Sequence, residues 1–148
     1  MTSKPLGAAS SLDSNVFIYA FLGQDDAKRN LALSLVNKAQ LGRHAVALQV
    51  MGEVFNRLRR PDGIAAPLAA QLVSREFAPF SLKAATPEVF AQALVLSAST
   101  GRQFWDSLII ATCAAHGIKV LYTEDLGAEP HEVLGVSLIN PFTSLETV

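Results

Sequence analysis

Residues 104–126 read FWDSLIIATCAAHGIKVLYTEDL, and this stretch decides the fold. An apolar run of helical length fills 104–116 and stops at Gly117, a residue suited to ending a helix. IKVLYT comes next, a short run of branched and aromatic residues that reads as a buried strand. Asp106 sits at the front of the helix, and Asp125 lies two residues beyond the strand.

The same alternation extends outward. Downstream, VSLIN is a second apolar strand. Upstream, Thr86-Pro87-Glu88 caps a helix that runs to Ser99 and is broken by Gly101. A weak strand is expected at 79–83. Before it, Pro67 fits the first turn of a helix ending near Phe77, and Pro61-Asp62-Gly63 is a turn signal. HAVAL precedes a helix over 49–60. Asp25 caps a helix that Gly42 stops. Residues 9–13 are a first strand candidate, running into NVFIYAFL. Apolar strands alternating with helices of ten or more residues predict an α/β protein. Its expected form is a three-layer α/β/α sandwich around a central, mainly parallel sheet. Ligands in such sheets sit beyond the carboxyl ends of the strands, so functional residues are expected just after strands. No linker, repeat or charge block divides residues 9–148, which are expected to form one domain behind a loose tail of residues 1–8.

Composition removes other classes. The 148 residues are 50% hydrophobic and 17% charged, which excludes intrinsic disorder. One cysteine excludes a disulfide framework, and His44, His116 and His131 are too widely spaced for a histidine zinc site. MTSKPLGAAS carries one lysine and no apolar core, unlike a secretory signal. Asp106, His116, Lys119 and Asn37 interrupt the apolar stretches before a membrane span is reached. A soluble cytoplasmic protein is expected. The net charge of −1 is not that of a protein that coats nucleic acid.

Four acids stand where the fold would gather them: Asp13 at the end of the first strand, Glu53 in the helix after HAVAL, then Asp106 and Asp125. Carboxylates assembled without Cys or His form a hard-oxygen site suited to Mg²⁺ or Mn²⁺. Paired divalent ions of this kind clamp the attacking and leaving oxygens in phosphodiester hydrolysis. Each acid also has a plainer reading. Asp13 and Asp106 suit helix caps, and Asp125 suits a turn beside Gly127. Glu53 lies about 60° from Val50 around its helix, on the flank of the apolar stripe, where a solvated side chain and a ligand are equally compatible with the spacing.

The motifs carry a resemblance. LDSNVFIYAF resembles the opening of PIN-domain ribonucleases, and VALQVMGEVFNRLRR is similar to their second motif, with Glu53 as its acid. FWDSLIIATCAAHGIKVLYTEDL resembles the third and fourth, with Asp106 and Asp125. EVLGVSLINPF is similar to the close of VapC-type toxins. Together they cover about residues 10–142. The resemblance implies a compact α/β/α nuclease whose catalytic and metal-binding residues are Asp13, Glu53, Asp106 and Asp125. It implies Mg²⁺ or Mn²⁺ as cofactor, RNA as substrate, a cognate antitoxin protein as partner and a homodimer. Thr123 matches the family's polar residue before the last acid, Asn15 is an auxiliary hydrogen-bonding residue, and Glu124 could substitute for Asp125.

In that setting Asp13 and Asp106 would hold the principal metal, and Glu53 and Asp125 would complete the shell. Neutralising four acids leaves the rest of the chain at +3, which favours phosphate contact. Arg57 and Arg102 are the expected RNA-binding cations. Arg59 and Arg60 read better as a solvated helix end. Trp105 either stacks on a base or, the expectation here, packs in the core beside Phe104. Cys113 is expected to be a buried apolar residue.

Other functions fit less well. A haloacid-dehalogenase-type phosphatase needs a second Asp two residues after the first, where this chain has Asn15. A phospho-receiver domain wants a Lys after a late strand, whereas Lys119 precedes its strand. The remaining alternative is a PIN-like RNA-binding or protein-interaction module without catalysis, and the presence of all four acids argues against it.

Overall fold

A computed structural model describes residues 5–60 and 63–146. Of the turn signalled by Pro61-Asp62-Gly63, the first two residues lie outside that range. Strand β1 (Ser10–Leu12) is followed by α1 (Ser14–Leu22) and α2 (Asp26–Leu41). Strand β2 (Ala45–Ala47) leads into α3 (Leu48–Leu58) and α4 (Ala66–Phe77), and β3 (Ser81–Lys83) leads into α5 (Pro87–Thr100) and α6 (Phe104–Ala115). The chain closes with β4 (Val120–Tyr122), β5 (Glu132–Val133), β6 (Val136–Ile139) and α7 (Thr143–Glu146).

Local chemistry explains most boundaries. The Asp25 carboxylate accepts from Lys28 N, and Thr86 Oγ1 accepts from Val89 N, each satisfying an amide that the first helical turn leaves open. Gly101 ends α5 in the left-handed conformation, at φ 76°. The segment NVFIYAFL, into which the first strand candidate runs, is the helix α1, with Asp13 as its cap. Val16, Phe17 and Ala20 bury one side of it. Leu6, inside the expected tail, packs against the core.

The strands form two sheets rather than one. The larger has the order β1-β4-β6-β5, parallel except for the antiparallel β5–β6 pair; the smaller is the parallel pair β2–β3. Among the described residues β1 and β2 form no main-chain ladder. Side chains bridge the gap instead. Ser11 Oγ donates to Ala45 O at 2.6 Å, and the buried His44 ring meets Ser10 O through Nδ1 at 2.7 Å. The core runs continuously beneath both sheets, from Leu12 and Phe17 through Val46, Val50 and Val54 to Ile109, Leu121 and Phe142. Phe17, Phe77 and Phe80 pack there with ring centroids 4.5–5.7 Å apart. No helix among the described residues is long and apolar enough to cross a membrane.

A candidate active site at the carboxyl ends of β1 and β4

Parallel pairing places Leu12 opposite Tyr122, so β1 and β4 end side by side. The residues just beyond them, Asp13 and Thr123 to Asp125, therefore emerge at one edge. Asp13, Asp106, Thr123 and Asp125 all line one pocket of about 210 Å³, roofed by the turn at 100–103 and by Gly127 and Ala128.

Asp13 is buried and fully engaged. Oδ1 accepts from Ser14 N at 2.7 Å, which makes it the cap of α1 as well as a pocket residue, and Oδ2 accepts from Thr123 Oγ1 at 2.8 Å. Burial raises its pKa, the two hydrogen bonds oppose that rise, and the charges of Glu53 and Asp125 add to it. Thr123 is the node of this network. Its hydroxyl oxygen accepts from Asn15 Nδ2 at 3.2 Å and from Asp125 N at 3.0 Å while its proton goes to Asp13. Asn15 Oδ1 accepts from Glu124 N at 3.2 Å, so this amide fixes the chain leaving β4.

Asp106 is half-buried in the first turn of α6. It does not cap that helix; Gln103 occupies the cap position and makes no side-chain bond there. The Asp106 carboxyl is pushed up to about 6 by burial first, then by the charges of Asp125 and Asp13, a hydrogen bond with Asp125 and the charge of Glu53. Like charges gathered at this edge therefore favour the neutral form of Asp106, and a bound cation would relieve that crowding.

Glu53 stands apart from the other three. Oε2 accepts from Gln49 Nε2 at 2.9 Å, and the same Nε2 donates to Trp105 O at 3.1 Å. Both partners are acceptors, which fixes the orientation of the Gln49 amide and leaves its buried Oε1 without a partner among the described residues. Such an orphan typically costs about 1–3 kcal/mol. It is retained by a bridge that ties the Glu53 helix to the start of α6.

Among the described residues no three Asp, Glu, His or Cys side chains close into a group ready to ligate a metal ion. The donor set nonetheless fits a hard divalent cation in kind. Three carboxylates line one pocket, all donors are oxygen, and two of the carboxyls are pushed toward their protonated forms by crowding and burial.

Other sequence expectations land elsewhere. Glu124, read as a possible substitute for Asp125, lies outside the pocket that Asp125 lines. It accepts from Tyr19 Oη at 2.6 Å and from Lys28 Nζ at 2.9 Å. Partial burial opposes ionisation, but those two bonds and the lysine's charge hold its pKa below the usual value. Arg102 lies on the pocket wall, yet three of its contacts are to loop carbonyls: Nη1 to Leu126 O at 2.9 Å, and Nη2 to Ala128 O at 2.7 Å and Pro130 O at 3.0 Å. Arg57 lines a separate pocket with Tyr19 and Leu22. Arg59 and Arg60 are exposed at the end of α3, as expected of a solvated helix end. Trp105 is 51% exposed and contacts Phe104 edge-on, so core packing is not its role. Cys113 is buried, and burial pushes its thiol up to about 12, as expected of an apolar core residue. The structural importance of Arg102 escapes sequence reasoning, because its acceptors are main-chain atoms 24–28 residues away.

The PIN domain family model matches residues 11–129. The chain belongs to the PIN domain family. No curated protein matches it by sequence. Among solved structures, a chain of a toxin–antitoxin complex from Klebsiella pneumoniae superposes with a TM-score of 0.63 at 19% identity, covering 89% of this chain and 97% of that one. VapC20 of Mycobacterium tuberculosis, described as a toxin that cleaves the sarcin–ricin loop, superposes with a TM-score of 0.58 at 22% identity, covering 78% and 89%. Both share the α/β fold of this chain.

Proposed function

We propose that this protein is a metal-dependent endoribonuclease, the toxin of a toxin–antitoxin pair of the VapC type. The observation that carries the reading is the meeting of Asp13, Asp106 and Asp125 in one pocket from distant parts of the chain. PIN family membership supports it, as do the two toxin-system structures of like fold. Asp13, Asp106 and Asp125 are the residues that would hold Mg²⁺ or Mn²⁺, with Glu53 completing the acidic set. When bound, such an ion supplies an activated water and positive charge against the scissile phosphate.

The chain's own groups prepare that site. Thr123 Oγ1 and Ser14 N hold both oxygens of Asp13 in place and favour its ionised form. Asn15 and the Asp125 amide lock the threonine in turn. Asp106, whose carboxyl is pushed up by burial and by its acidic neighbours, would be favoured in its ionised form once a cation offsets that crowding. Arg102 fixes the loop after Asp125 by its carbonyls, which keeps that carboxylate over the pocket.

A nuclease of this kind acting in the cytoplasm requires an inhibitor. The expected partner is an antitoxin that brings an Arg or Lys to the carboxylates in place of the metal. The test is hydrolysis of end-labelled RNA with Mg²⁺ and with EDTA, together with expression of the chain alone. Metal-dependent cleavage and growth arrest, both lost in Asp13→Asn, are the expected results. Equal growth of the two strains at equal protein levels overturns the toxin reading, and absence of Mg²⁺-dependent cleavage overturns the nuclease reading.

A further inference from the structure

Trp105 is the chain's only tryptophan, and it stands beside the acid pocket rather than in the core. Three observations converge on it. Its side chain is half in solvent, one residue before Asp106. It is braced from behind, with the Phe104 ring 4.9 Å away and nearly perpendicular and Phe90 a further 5.7 Å from Phe104. Its main-chain carbonyl accepts from the Gln49 amide that also holds Glu53, which anchors the backbone from which the indole projects next to the acids. Exposing an indole costs hydrophobic free energy that burial beside Phe104 would recover. An aromatic face that is exposed, backed by a second ring and next to a carboxylate of the proposed phosphodiester-cleaving pocket is what an unpaired nucleobase stacks on.

We infer that Trp105 is the stacking platform for a base of single-stranded RNA next to the scissile phosphate. The inference rests on the ribonuclease reading above. The carboxylates act on the phosphate, while Trp105 holds the neighbouring base by its π face. The preference it confers is therefore for unpaired RNA rather than for one base.

The single indole makes the test direct. Asp106→Asn protein in Mg²⁺ is titrated with a single-stranded oligoribonucleotide and with an abasic oligomer of the same length. Saturable quenching by the first and not by the second is expected. In the otherwise wild-type chain, Trp105→Leu should raise KM for a single-stranded substrate about 5- to 150-fold, the usual worth of one base stack, with the loss falling on KM rather than kcat. Trp105→Phe should recover most of it. Circular dichroism confirms that each variant is folded. Equal quenching by the abasic oligomer overturns the proposal. So does a KM unchanged in Trp105→Leu, which leaves the nuclease reading standing. A concentration-dependent blue shift without RNA also overturns it, because a second copy of the chain would then cover the indole. A wild-type protein that cleaves no RNA defeats the nuclease reading, and base-dependent quenching then separates the fate of the platform from it.

Discussion

Glu124 and Asp125 are adjacent carboxylates on the same short segment after β4, and they live in opposite surroundings. Glu124 turns toward Tyr19 and Lys28 and is held ionised by a phenol and an ammonium group. Asp125 lines one pocket with Asp13 and Asp106, where carboxyls crowd carboxyls and the Asp106 carboxyl is pushed up to about 6. Satisfied charge marks structure in this molecule, and frustrated charge marks the site. Two like charges about 4 Å apart cost up to ~4 kcal/mol at an effective dielectric of about 20, and repulsion of this kind clusters at functional sites.

Neutralising one acid on the crowded side should give the largest effect. Asp106→Asn is expected to lower RNA cleavage by at least about 100-fold, beyond the usual loss for residues that merely support a metal ligand. The same change should raise the melting temperature in EDTA, and Mg²⁺ should then stabilise the wild type more than the variant. A drop of several degrees in EDTA would mean that Asp106 has a stabilising partner, and the contrast with Glu124 would fail there.

Next is the clamp that keeps Asp125 on its side. Arg102→Ala removes a cation from three carbonyls and should cost about 2 kcal/mol of stability by chemical denaturation. Cleavage should fall as well, because the loop after Asp125 loses its anchor. Gly127→Ala tests the same junction from the loop side. An added Cβ would collide with Arg102 Nη1, at a backbone φ of +64° that side chains disfavour.

On the satisfied side, Glu124→Gln should cost about 1 kcal/mol and leave cleavage within about threefold of wild type. A large loss of cleavage in a folded Glu124→Gln protein would place Glu124 in the reaction and erase the contrast.

The smallest effect is a slope. Burial and like charges raise the Asp13 and Asp106 pKa values in the folded chain above their ordinary 3.8, Asp106 to about 6. Asp106 therefore binds more protons in the folded state between about pH 4 and 6 and makes stability in EDTA fall as pH rises through that range, and Asp13 acts in the same direction. Glu124 acts in the reverse sense. Its lowered pKa gives a contribution that is full above its ordinary 4.5 and lost as pH falls below it. Asp106→Asn should flatten the slope between pH 4 and 6, and Glu124→Gln should leave that limb in place. Denaturant melts across this range measure both.

Much of this molecule is legible in its sequence because it is local. Caps such as Asp25 and Thr86, stops such as Gly42 and Gly101, and short apolar runs set most elements by near-neighbour chemistry. Asp13, Asp106 and Asp125 are legible as a group because parallel strands deliver the residues at their carboxyl ends to one edge. The features that escape depend on distant partners. Lys28 and Tyr19, which separate Glu124 from Asp125, lie about a hundred residues upstream. The two-residue strand β5 is too short to carry a pattern, and its existence rests on pairing with β6. Trp105 sits next to Phe104 in an apolar run, where composition alone reads as core. Only the packing of α5 on α6 leaves it outside.

The seam between the two sheets has an evolutionary side. Glu53 comes after β2, whereas Asp13 and Asp125 come after β1 and β4, so the fourth acid is carried on a different sheet from its companions. A main-chain ladder tolerates almost any sequence, since its bonds belong to every residue alike. The link across this seam belongs to Ser11 and His44, and a single codon change can loosen or re-aim it. The spacing between Glu53 and the other acids is thereby exposed to selection independently of the acids themselves. A change at Ser11 or His44 can therefore shift the distance from Glu53 to the pocket acids without altering any carboxylate.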